Sequence, residues 1–137
     1  MKRIQILDCT LRDGGYLIDS QFGNTSIKGI IQGLTESGID VIECGFLKNE
    51  PHVNGSTVFN NAAQLRPFIP KDRKQASYVC LADYSRYSID YLEDYDGTSI
   101  DGVRACFFKH ERYEVIPFCK KIKEKGYKLY VQPVDIL

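Results

Sequence analysis

The 137-residue sequence predicts an α/β fold built from parallel strand–helix repeats. Two observations predict it. Short apolar runs rich in β-branched residues alternate with stretches whose apolar residues recur at helical spacing, four times over, with one more strand at the end. Turn-forming residues punctuate the boundaries, at Gly38, Pro67 and Gly126. Alternation of this kind calls for a parallel sheet with right-handed crossovers. The chain is long enough for a real core. No repeat, low-complexity tract or linker divides it, so residues 1–137 read as a single domain.

The first strand is Ile4-Gln5-Ile6-Leu7, which runs into Asp8, Arg12 and Asp13 and then Gly14 and Gly15. Glycines there mark a turn where backbone can approach a ligand. Three charges where a buried strand ends are costly unless they pair or bind something. They form either an ion-paired loop or a site. Residues 16–23 are too mixed for regular structure. A helix then starts at Asn24, Thr25 or Ser26, all good caps. Ile27, Ile30, Ile31 and Leu34 follow at helical spacing, and Gly38 closes it.

The second strand, over residues 39–46, holds a single carboxylate, Glu43. A polar loop over 47–56 carries His52. The spacing predicts a second helix over 57–66, a third strand over 75–81 and a short tyrosine-rich helix over 88–95. A fourth strand over 102–108 contains Arg104 and leads to His110. A helix over 112–125 and a fifth strand over 128–133 complete the pattern. Lys48 and Lys109 follow the second and fourth strands, where a Schiff-base lysine would need a desolvated setting.

With 18 basic and 18 acidic residues, the balance gives no pull toward nucleic acid or an anionic membrane. The tyrosines from Tyr84 to Tyr95 lack the interleaved basic residues of a nucleic-acid platform. No run is long and apolar enough for a membrane span, and the Met1-Lys2-Arg3 start lacks a signal-peptide core. The default compartment is the cytoplasm. The five cysteines have no metal-motif spacing. If Asp8 and Thr10 face the interior, Cys9 faces out, and an inward Glu43 sends Cys44 out. The cysteines read as small buried residues.

Thr10-Leu11-Arg12-Asp13-Gly14 at the end of the first strand resembles the signature of a metal-dependent aldolase and lyase family built on a TIM barrel. That family includes 4-hydroxy-2-oxovalerate aldolase, 3-hydroxy-3-methylglutaryl-CoA lyase and the 2-isopropylmalate synthases. Ile42-Glu43-Cys44-Gly45-Phe46 is similar to a second family segment, one strand–helix unit further on. The continuation Gly14-Gly15-Tyr16 is closer to the aldolases than to the synthases' usual Gly-Glu-Gln. The resemblance selects a barrel over an open doubly wound sheet. No Gly-x-Gly-x-x-Gly or Walker loop argues otherwise.

A whole barrel takes eight units and about 250 residues. The expectation is therefore the N-terminal half of a (β/α)₈ barrel, with about five strands and four helices.

The resemblance implies a carbon–carbon lyase that cleaves or forms a bond in a 2-oxo acid. In the family, the aspartate at Asp13 binds a divalent metal, for which a hard oxygen ligand suits Mn²⁺ or Mg²⁺. The arginine at Arg12 stabilises the enolate, and the glutamate at Glu43 pairs with that arginine. Two features depart from the family pattern. The histidine pair of a seventh strand is missing, only His52 and His110 being present. Tyr16 occupies the place of a proton-transferring histidine, and its ordinary pKa of about 10 makes it a poorer base.

Barrel sites gather at the C-terminal ends of the strands, which makes Asp8, Arg104, His52 and His110 candidate substrate contacts. Metal binding is expected to be weak or absent in these residues alone, and the fragment inactive. Two alternatives remain, an acyl-CoA condensing enzyme of the isopropylmalate synthase type and a non-catalytic binding or assembly module. The missing histidines favour the latter. Open strand edges and inward-facing Ile6, Val79 and Val103 predict a homo-oligomer.

Overall fold

The computed structural model describes residues 3–135; Met1, Lys2, Ile136 and Leu137 lie outside it. Its centre is one parallel sheet. The strands are β1 (Leu7–Asp8), β2 (Val41–Leu47), β3 (Val58–Phe59), β4 (Ser77–Asp83), β5 (Gly102–Phe108) and β6 (Lys128–Val134). They lie in the order β1-β2-β4-β5-β6, with β3 attached to β2. Helices α1 (Asn24–Glu36) and α2 (Val115–Glu124) cover one face. The result is the expected α/β half-barrel.

The helix-facing layer holds the main core. Ile27 and Ile31 of α1 and Val115, Phe118 and Ile122 of α2 pack on Ile42, Cys44, Tyr78, Cys80, Val103 and Ala105. Every one of these side chains is buried, and each such aliphatic or aromatic burial contributes about 1.5–3 kcal/mol. The Tyr78 hydroxyl meets the Thr35 hydroxyl at 2.9 Å inside this layer, so its polar end is satisfied. The opposite face carries a smaller cluster of Phe46, Leu81 and Cys106. Val103 belongs to the helix side, not to the inner face where the alternation had put it.

Two expected helices differ. Residues 57–66 form no α-helix. Val58 and Phe59 extend instead as β3 beside Phe46 and Leu47, and a 3-10 turn over Ala63–Phe68 follows, with Pro67 inside it. Proline there removes a donor that an α-helix would need. The tyrosine-rich stretch shrinks to a 3-10 turn over Ile89–Tyr91, where the Ser88 hydroxyl accepts from the Asp90 amide at 3.4 Å. Isolated short helices are marginal without an amphipathic face to bury, and here only Ile89 is buried.

The expected caps of α1 also differ. Gly23 occupies the cap position, while the Asn24 side chain accepts from the Gly55 amide at 2.9 Å.

One irregularity decides where the site falls. Between Glu43 and Phe46, β2 carries an extra residue relative to Val79 and Leu81 of β4. Strict alternation would put Glu43 and Phe46 on opposite faces; the bulge puts both on the inner face. The same edge of β2 is shared, with β1 beside Val41 and Ile42 and β3 beside Phe46 and Leu47.

Candidate functional site

The site assembles where β1 ends. Leu11 is fully buried in the helix-side core, which anchors the turn. The Arg12 and Asp13 amides both donate to the Cys9 carbonyl, at 3.1 and 2.8 Å. This tight turn swings Arg12 toward the inner face. There Arg12 Nε donates to Glu43 Oε1 at 2.6 Å, and one Arg12 Nη donates to Asp13 at 3.0 Å. The other Oε of Glu43 accepts from Arg104, whose second Nη donates to Gln132.

Glu43 is 0% exposed. A carboxylate so buried is tolerable only when its charge is fully paired. Two guanidinium groups do that and leave the Arg12–Glu43–Arg104 cluster with one excess positive charge. Burial works against the Arg12 charge, but the hydrogen bond and charge of Glu43 outweigh it, and the Arg12 pKa is raised. Arg12 is therefore a fixed cation. Its remaining Nη has no hydrogen-bond partner among the described residues.

Beside the cluster lies an open concavity of about 280 Å³, lined by Arg12, Tyr16, Phe46, Lys48, Asp83 and Gln132 among others. Phe46 is its floor. Tyr16 meets the ring edge-on, with centroids 5.9 Å apart, and Lys48 Nζ stands 4.5 Å from the same centroid.

The remaining candidates fall in different places. Asp8 does not face the cluster. It is the register partner of Ile42, whose side chain is in the helix-side core, and its carboxylate accepts from the Thr10 amide and hydroxyl at 2.9 and 3.0 Å. The residue that faces Arg104 is Cys9, whose sulfur lies 3.8 Å from it. The parity assumed for the first strand is thus reversed: the register with Ile42 sends Asp8 to the helix side, and alternation turns Cys9 inward. Burial, then the charge of Glu43, push the Cys9 thiol pKa up, against the two arginines.

His52 stacks on Phe59 at 4.9 Å and its Nδ1 meets the Val58 carbonyl at 2.8 Å. It borders a different hollow, beside Asn24 and Lys28 of the α1 side. His110 stacks on the rim residue Phe108 at 5.9 Å. Gln132 and Phe46 are site neighbours that the sequence did not single out; Lys48, weighed only as a Schiff-base lysine, and Cys9, read as a small buried residue facing out, join them. Gln132 could have been noticed as an uncharged polar residue inside the last strand, between Val131 and Pro133.

Asp13 offers a largely exposed carboxylate already shared with Arg12. Among the described residues no group of three or more His, Cys, Asp or Glu side chains could hold a metal ion. Divalent ions such as Mn²⁺ and Mg²⁺ take several oxygen or nitrogen donors. The residues present do not make such a site by themselves.

No family model matches the chain. It is 29% identical, over 94% of its own length and 38% of the relative's, to an oxaloacetate decarboxylase of Mycobacterium tuberculosis (strain ATCC 25618 / H37Rv). A stretch of 40 residues, 12% of the relative's length, is 45% identical to a 4-hydroxy-2-oxovalerate aldolase of Geobacillus genomosp. 3. Among solved structures, it superposes with a TM-score of 0.74 on the N-terminal domain of a protein provisionally assigned as an aldolase from Bacteroides vulgatus. That match has 20% identity and covers 97% of this chain and 45% of the other. The chain spans less than half the length of these relatives. The named relatives support an aldolase-like family, and the solved structure supports the half-barrel fold.

Proposed function

We propose that the chain carries the anion-stabilising part of the active site of a carbon–carbon lyase acting on 2-oxo acids, as an aldolase or a decarboxylase. The observation that carries this reading is the Arg12–Glu43–Arg104 cluster, a fully buried carboxylate clamped between two guanidiniums at the end of β1 and within the sheet. Breaking the C3–C4 bond of a 2-oxo acid, with an aldehyde or CO₂ leaving, passes the electron pair of that bond onto the 2-oxo oxygen as an enolate. Its charge is lowered in energy by donors already aimed at the oxygen before it forms. Arg12 has such a donor left over, and Glu43 fixes the plane of its guanidinium.

Tyr16 lines the same concavity, and in this reading its hydroxyl exchanges a proton with substrate. Asp13 would offer one oxygen donor to a divalent ion. The other ligands would have to come from outside these 137 residues.

The test is retro-aldol cleavage of a 4-hydroxy-2-oxo acid and loss of the C4 carboxylate from a 2-oxo acid that carries one, in the complete polypeptide, with Arg12→Lys as the variant. Lysine keeps the charge and loses the planar donor fork. Turnover is expected to fall about a hundred-fold or more with unfolding unchanged. Near-normal turnover in Arg12→Lys would make Arg12 a purely structural partner of Glu43 and end this reading.

A further inference from the structure

We infer that Lys48 is a specificity residue that selects 2-oxo acids bearing a second carboxylate at the far end of the chain. The inference rests on the reading of Arg12 given above. Arg12 and Arg104 share Glu43, and Arg12 also meets Asp13. Arg86, on the rim, has Asp83 at 3.7 Å. Lys48 alone among the cations of this hollow has no carboxylate within salt-bridge distance among the described residues.

Its position is held rather than accidental. The Lys48 amide donates to the Phe59 carbonyl at 2.9 Å, and its own carbonyl accepts from Asn60 at 3.2 Å. Both tie it to the strand that the bulge in β2 makes room for. Its ammonium lies 4.5 Å from the Phe46 centroid, and the Arg12 guanidinium carbon lies 6.0 Å from the same centroid. One aromatic ring therefore carries two cations. A ring holds a cation weakly, so it orients the Lys48 ammonium without neutralising it.

A substrate with its 2-oxo acid end on Arg12 and its tail across Phe46 presents that tail to Lys48. A methyl tail leaves the charge unanswered. A carboxylate tail completes an ion pair in a hollow where the other acidic groups are already engaged. Arg86 is a poorer candidate, since Asp83 offsets it and its side chain is 71% exposed.

The experiment uses the 137-residue chain and two stable acids of equal length, 2-oxopentanoate and 2-oxoglutarate, titrated by amide chemical shifts. The dicarboxylate should bind about ten-fold tighter, the worth of one hydrogen-bonded charge pair. Lys48→Met keeps the stem on Phe46 and should bring both acids to the weaker value, while Lys48→Arg restores the preference. Unfolding midpoints should stay level across these variants.

Equal affinities in the parent chain, or a preference that survives in Lys48→Met, would overturn the role of Lys48 and leave Arg12 untouched. If neither acid binds, or if binding ignores Arg12→Lys, both readings fall together.

Discussion

Gly45 approaches Thr57 so closely that a β-carbon built on it would stand 2.0 Å from the Thr57 carbonyl oxygen. That carbonyl accepts the Phe46 amide at 2.9 Å, so β3 is laid directly against the bulge in β2. Gly45 also has φ of 152°, in the range that favours glycine. The glycine is what lets one strand turn Glu43 and Phe46 to the same face.

Gly45→Ala should therefore destabilise the fold by about 2 kcal/mol or more, because backbone rather than a flexible side chain must yield. The control is Gly29→Ala in α1, where a β-carbon meets nothing within 4 Å. It should gain up to about 1 kcal/mol through helix propensity. Urea unfolding of the two variants checks both signs. A harmless Gly45→Ala would mean that β3 is free to move away from β2.

Glu43 and Cys9 are electrostatically linked. The Cys9 thiol pKa is raised by burial and by the Glu43 charge, while Arg104 and Arg12 pull it down. At neutral pH the thiolate fraction is then below that of a free cysteine, and alkylation is slow. Glu43→Gln removes an upward influence and leaves both arginines. The thiol should become more acidic and the alkylation profile should shift to lower pH. Mass-resolved labelling of Cys9 against pH measures the shift. The variant should also lose about 3 kcal/mol of stability, since the paired charge is removed from a buried cluster. An unmoved profile would mean that Glu43 does not reach Cys9.

Metal binding by these residues alone should be weak. Asp13 is a single carboxylate engaged with Arg12, and one such donor does not hold a divalent ion tightly. Calorimetric titration of the 137-residue chain with Mn²⁺ should show binding weaker than micromolar or none. A submicromolar site would contradict the proposal that the other ligands lie elsewhere.

Self-association is the fourth expectation. β6 pairs with β5 along one edge over seven residues, Lys128 to Val134. It pairs with no strand on its other edge among the described residues, and Val131 is 57% exposed. Ile4 and Ile6 are exposed at the opposite end of the sheet. Unpaired parallel edges with apolar side chains template pairing with another chain. Sedimentation at micromolar concentration should show a dimer or larger species. A monomer throughout would mean that both edges stay solvated.

The strand–helix order was legible in the sequence because periodicity records which face of each element is buried. Ile27 and Ile31 on α1 face the core where the spacing put them. The charges Arg12 and Asp13 stood out because they follow the end of an apolar strand and Glu43 because it interrupts one, places where a charge is costly unless it is partnered. Partnership itself was not legible. Glu43 meets Arg104 across 61 residues of sequence, and only the packing of β2, β4 and β5 sets that distance.

Alternation held between Asp8 and Cys9, but the face of each was reversed, because pairing of β1 with Val41 and Ile42, not local sequence, decides which face Asp8 takes. The helix expected over 57–66 failed because a local propensity lost to pairing with the bulged β2. Local chemistry thus determined which residues are candidates and which elements carry them. The faces that those residues share, and so the site, were decided by the bulge at Gly45 and by contacts between residues distant in the chain.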